Sequence, residues 1–307
     1  MTFGDFHPGA GMDRSSEALP LSGAFCWLVV AGVLAVALAQ PQAARAHGEI
    51  HLRILEYTQQ IEAATNNPAA LYLERGELKR EHGLWEEAGA DFDRAAQLDP
   101  GLPGVDRCRA KLLADRGQFE AARAVFDQAV QRSPDDGECF VGRARLMIKL
   151  GQRKAAIADY WRGLERLREP QPEYVVELAQ ALAAEGDVVE ALRALDEGIR
   201  KHGPVLPLQG YALDLELGRK NHESALVRLE TILARAMRKE SWFARRGDIL
   251  LEAGRMAEAR KSYEAALVAV KRLPGRLQQS PSMVKLQAHV NTALAEMANA
   301  PPAGQSE

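Results

Sequence analysis

Three absences narrow the reading of this sequence before any element is placed. It has no G-x-S-x-G elbow for a serine nucleophile, no G-x-x-x-x-G-K-[ST] phosphate loop and no Cys-x-x-Cys pair, so common hydrolase, nucleotide-binding and thiol-redox signatures are missing. His222-Glu223 opens like a helical zinc-protease site, but Leu226 stands where a second histidine would have to grip the metal from the next turn. An excess of charge of either sign is missing too: 39 Lys and Arg against 42 Asp and Glu leave a formal net charge of −3. The basic residues are dispersed rather than gathered in a tail, which gives no footprint for nucleic acid. Gly and Pro, at 25 and 15 of 307 residues, are too few for a disordered chain, and 26% charged with 47% hydrophobic is ordinary for a soluble protein.

Charge is also absent locally. No residue between Glu17 and Arg45 is charged, and residues 24–39, AFCWLVVAGVLAVALA, form an uninterrupted apolar run. Gln40-Pro41 and then Ala44-Arg45-Ala46 follow, a pattern that reads as a secretory leader (residues 1–46) cleaved after Ala46. Asp5, Asp13 and Glu17 against Arg14 alone make a poor basic start. An uncleaved anchor is therefore the alternative, since about 20 apolar residues span a membrane. Apolar length and the A-x-A site favour cleavage. Either way the remainder is expected outside the cytoplasm, periplasmic if cleaved and attached to the inner membrane if not. Cys26, inside the run, lacks the neighbours of a lipidation box.

What the sequence does contain is a repeat. Gly83, Gly117, Gly151, Gly186 and Gly254 are spaced by 34, 34, 35 and 68 residues, and Lys220 falls in the gap. Five residues after each of these six positions stands an alanine: Ala88, Ala122, Ala156, Ala191, Ala225 and Ala259. Nine residues after stand Phe92, Phe126, Tyr160, Leu195, Leu229 and Tyr263, and a proline closes most blocks. Each block carries two apolar stretches at helical spacing, so the unit is a helical hairpin. Glycine sits where the first helix must reverse, small residues allow close helix approach, the bulky residue fills the space between them, and proline stops the second helix.

At these residues the chain resembles the tetratricopeptide repeat family, with its period of 34 and its small, aromatic, small, proline pattern. The resemblance covers residues 69–272 as six repeats and implies an all-α, right-handed solenoid of stacked hairpins that binds other proteins and does not catalyse. The fifth repeat departs most. Lys220 replaces the turn glycine and Ile232 the second small residue, so this hairpin is expected to be splayed or shifted. Cys108 and Cys139 fall on first helices of adjacent repeats, and a pair of buried, unbridged thiols is favoured over a disulfide.

In this family the first helices line a groove that holds extended peptides. The corresponding places here give Arg107 and Lys111, then Arg145 and Lys149, each pair one turn apart, beside Arg80. Two readings stand: a solvated face neutralised by Glu77, Glu81, Asp115 and Glu138, or a site for an acidic ligand. The chaperone-binding members use asparagine with lysine, and no asparagine occurs at these places, which argues against a chaperone-type clamp. Later repeats offer an apolar groove with Val176, Ala183, Leu217 and Leu251.

Both ends of the stack need covering. Ile50, Ile54, Tyr57 and Ile61 predict a one-sided capping helix within residues 47–68, and Met283, Leu286, Val290 and Leu294 predict another within 273–298. Residues 299–307 read as a disordered tail. Cleavage after Ala46 would make His47 the first residue, with His51 one helical turn on. A terminal amine and imidazole nitrogens suit copper or zinc, so metal binding through His47 and His51 is the second functional expectation, beside a scaffold with no cofactor.

Overall fold

The computed structural model describes residues 41–299, which hold fifteen helices and no strand. The first, α1 (Pro41–Ala63), is followed by six pairs: α2 (Ala69–Glu81) with α3 (Trp85–Leu98), α4 (Val105–Asp115) with α5 (Phe119–Arg132), and α6 (Gly137–Lys149) with α7 (Arg153–Arg166). Then come α8 (Pro172–Ala184) with α9 (Val188–His202), α10 (Leu206–Gly218) with α11 (His222–Arg235), and α12 (Glu240–Glu252) with α13 (Met256–Lys271). A single turn, α14 (Gly275–Gln278), leads into α15 (Pro281–Asn299). Each paired helix packs most extensively on its partner and next on the adjoining hairpin. The result is a helical-hairpin solenoid. The apolar run at 24–39 and the tail beyond Asn299 lie outside the described residues; among the described residues no helix is long and apolar enough to cross a membrane. The start of α1 at Pro41 puts the expected cleavage point at Ala46 within a helix.

The recurring glycine has a specific task at every hairpin. Gly83 N–H donates to the Arg80 carbonyl at 3.0 Å and Leu84 N–H to the Lys79 carbonyl at 2.8 Å, the paired bonds that close a helix through a left-handed residue. The same two bonds recur at Gly117, Gly151, Gly186 and Gly254, all with φ between 72° and 90°. Lys220 makes them as well: its N–H donates to Leu217 and that of Asn221 to Glu216, both at 2.9 Å. Its φ of 58° makes it the one non-glycine residue in this conformation among the described residues. The expected splaying of the fifth hairpin is therefore overturned. Four satisfied backbone groups outweigh one strained φ. The strain remains, so Lys220→Gly is expected to stabilise the protein by about 1 kcal/mol, the cost of a left-handed β-carbon less the extra freedom of an unfolded glycine. A fall in the urea midpoint would contradict this.

Inside the hairpins the repeated small and bulky positions form the core. All six alanines five residues past the turn are fully buried, as are the bulky residues from Phe92 to Tyr263 at nine residues past it. Gly76 explains how one ring fits: a β-carbon there would lie 2.5 Å from the Phe92 ring. Apolar contacts run on between hairpins, one cluster extending from Val141 to Ala212 and the next from Leu213 to Met297 on α15. On α1 the face Ile50, Ile54, Tyr57 and Ile61 is half-buried while Leu52 and Leu55 point out. The buried stripe of α15 is Met283, Val290, Ala293 and Met297, with Leu286 and Leu294 at its margin.

A second periodic feature escapes the apolar pattern. Arginines eight residues before the turn position reach across the seam between hairpins to an acid ten residues past the previous turn: Arg109 to Asp93, Arg143 to Asp127 and Arg246 to Glu230. Arg75 and Arg143 also grip an acid in their own hairpin, Asp91 and Asp159. In the fifth repeat Ala212 takes the arginine's place, and Arg228 on α11 reaches Asp196 and Glu216 instead. Leu178 takes that place in the fourth repeat, so the ladder ties the second repeat to the first, the third to the second, the fifth to the fourth and the sixth to the fifth.

Candidate partner-binding groove

The first helices of the early repeats enclose two adjoining clefts. One, of about 260 Å³, is lined by Arg80 and Glu81 of α2, Lys111 and Asp115 of α4, and Arg145 and Lys149 of α6. The other, of about 540 Å³, carries Arg145, Ile148 and Lys149 on one side and Glu177, Gln180 and Ala184 of α8 on the other. They share Arg145 and Lys149, so a single groove crosses from the first to the fourth repeat. Helical spacing within each first helix and the stacking of the hairpins bring these side chains together.

Four of the five basic residues expected here line it. Arg107 does not. It lines a separate cleft with Asp136 and Cys139, and its Nη1 donates to both Asp136 carboxylate oxygens at 3.0 Å. Asp136 also caps α6 by accepting from the Cys139 N–H, so Arg107 has a structural partner at a helix start.

Most of the remaining charge is already engaged. Arg80 bonds Glu77 and Asp115, and Lys111 Nζ reaches Glu77 at 3.1 Å. Burial alone would raise the Glu77 carboxyl; hydrogen bonds and charge from Arg80 and Lys111 outweigh it and hold the group below the usual carboxylate range. Arg145 holds Glu177 through two nitrogens at 2.8 Å each, and the Tyr160 hydroxyl donates to the same carboxylate at 3.1 Å. The Arg145 guanidinium also lies 5.0 Å from the centre of the Tyr174 ring, whose hydroxyl donates to Glu138. Lys149 is different: exposed, and without an ion-pair partner among the described residues. Next to it Ile148 is 39% exposed.

Partners such as Glu177, contributed 32 residues downstream, did not stand out in sequence because this position is not part of the repeat pattern. Farther along, Val176, Ala183, Leu217 and Leu251 are half-buried against the core. Cys108 and Cys139 are free and buried; burial is the main cause that pushes both thiols up to about 12, with Asp136 adding to it at Cys139. They therefore stay protonated and poorly nucleophilic. Among the described residues no three His, Cys, Asp or Glu side chains form a metal-binding group. The His47 side chain lies outside the described ones, and His51 stands with its ring centre 5.5 Å from that of His82.

Comparison with known proteins agrees with this architecture. Family models described as tetratricopeptide repeat match residues 113–158 and 212–275, the second starting within the first helix of the divergent fifth repeat. No curated protein matches the sequence. Among solved structures, the C-terminal part of a TPR repeat-containing protein from Cytophaga hutchinsonii superposes with a TM-score of 0.55 at 12% identity, covering 78% of this chain and 94% of that one. Yeast Tom70 superposes with a TM-score of 0.51 at 17% identity, covering 76% of this chain and 46% of that one. At such identities the likeness establishes the fold.

Proposed function

Because the chain belongs to the tetratricopeptide repeat family, we propose that it is a non-catalytic scaffold of a bacterial-type cell envelope that holds an extended segment of another protein in its first four repeats. The family's general use as a protein-binding scaffold supports the class of partner. The observation that carries the reading is the continuous groove through Arg80, Lys111, Arg145, Ile148 and Lys149. The apolar run at 24–39 followed by Ala44-Arg45-Ala46 supports export.

The state of the charges refines the partner. A ligand carboxylate approaching Arg145 competes with Glu177, which already holds Nε and Nη2, and near Arg80 it meets Asp115 and Glu77. Lys149 has no such competitor. The groove is thus suited to a segment that places one acidic side chain at Lys149 and one apolar side chain on Ile148, rather than to a strongly acidic tract. Exchanging one ion pair for another gains little, whereas pairing a single exposed lysine and covering an exposed isoleucine adds new contacts.

Capture from an envelope extract on the immobilised full chain tests this. The double variant Lys149→Glu with Ile148→Asp is expected to reduce recovery of the specific partner at least about tenfold, as loss of a central contact does. Its helicity should stay at the wild-type level, since both side chains are exposed. Arg107 is kept intact in this comparison because its pair with Asp136 supports the start of α6. Equal recovery on wild type and variant would return these residues to a solvated face.

A further inference from the structure

Two histidines far apart in sequence meet at the N-terminal seam. His51 projects from α1, and His82 ends α2 as the residue just before the turn glycine. The two helices are antiparallel neighbours: lower on the seam Arg75 Nη1 donates to Thr58 Oγ1 at 3.0 Å. This arrangement carries the early part of α1 to the end of α2. The rings lie 5.5 Å apart between centres, at 67° to one another.

That separation is what one metal ion requires of two imidazoles. With zinc-to-nitrogen distances of about 2.0–2.1 Å, each ring centre sits about 3 Å from the ion, which puts two such centres about 5–5.5 Å apart at tetrahedral angles. His51 is exposed and His82 half-buried, so an ion reaches them from solvent. Imidazole nitrogen suits zinc and copper(II), whereas neither calcium nor magnesium favours it.

We propose that His51 and His82 together bind one zinc or copper(II) ion and so fasten the capping helix α1 to the first repeat. Water completes the coordination, as in other sites where the protein supplies only part of the ligand set. The site differs from chelation by a free terminal amine at His47, because it needs no cleavage and draws on a residue 31 positions beyond His51. It is also independent of the groove.

The experiment uses the full chain with residues 1–46 still attached, in which no amine exists at His47. Zinc is titrated calorimetrically into wild type, His51→Ala, His82→Ala and His47→Ala, and hydrogen exchange is followed over residues 50–63 with and without zinc. One ion should bind per chain. His51→Ala and His82→Ala should each weaken binding at least about tenfold, because even loss of a residue that merely supports a ligand costs about 10- to 100-fold. His82→Gln, a milder change at the helix end, should weaken it likewise. Zinc should slow exchange in α1 of wild type and leave both variants unchanged. Additional weakening in His47→Ala would support the pair with His47 as a third ligand. Equal affinity in wild type and His82→Ala, or loss in His47→Ala with His82→Ala unaffected, would overturn the proposal.

Discussion

Replacing Arg143 with alanine is expected to destabilise the protein by about 3–5 kcal/mol, the loss that follows when one partner of a buried ion pair is removed. Arg143 donates from Nε and Nη2 to Asp159 at 2.7 and 2.9 Å, and from Nη1 to Asp127 at 2.8 Å. The Asp159 side chain is only 3% exposed and would keep just the weaker contact from Arg162 at 3.4 Å. A charge left in that position cannot recover its hydration. Removing both charges through Arg143→Met with Asp159→Leu should therefore cost far less than the single change. Arg109→Ala provides the contrast, because its partner Asp93 is 64% exposed and such pairs are worth under about 1 kcal/mol. Stacked repeats can unfold in parts, so urea denaturation should be paired with hydrogen exchange resolved to α6 and α7. A loss below about 1 kcal/mol for Arg143→Ala would mean that the buried pair with Asp159 contributes little to stability.

Phe92→Ala is expected to cost a similar amount, about 3–5 kcal/mol, since it empties a fully buried site between α2 and α3. Its partner position gives the opposite perturbation. At Gly76 a new β-carbon would come within 2.5 Å of the Phe92 ring, so Gly76→Ala is expected to cost about 1–3 kcal/mol through overpacking. Combined, the two changes should cost less than their sum, because the vacated ring space accepts the added methyl. Strict additivity would show that the ring and the glycine are not packed as described. The same relation within a hairpin appears at Gly247 with Tyr263, and Gly142 stands as closely against the Phe126 ring of the preceding hairpin. Small residues in the first helices are thus part of the packing motif as much as those past the turn.

The groove was legible in part. Arg80, Lys111, Arg145 and Lys149 could be placed together because a helix repeats its face every turn and the hairpins repeat every 34 residues or so. Arg107 satisfied the same arithmetic and yet belongs to another cleft, since Asp136 at the start of α6 holds it there. Sequence spacing assigns a face but not the direction a long side chain takes along it. The engagement of Arg145 by Glu177, whose carboxylate also accepts from Tyr160, was equally invisible, as was the arginine ladder, because neither belongs to the apolar pattern from which the repeats were read.

By itself the sequence determined the all-α hairpin architecture, the place of each reversal and the small and bulky residues that fill each core. These are local matters: a left-handed turn, a period of 3.6 and a buried volume are each set by a few neighbouring residues. Only the tertiary structure decided which charges are spent and which are left exposed, that Lys220 can replace glycine without opening its hairpin, and that His51 meets His82. The charge pairing and the histidine contact depend on how far one hairpin is offset from the next. That offset is a property of the packed stack, and no single repeat encodes it.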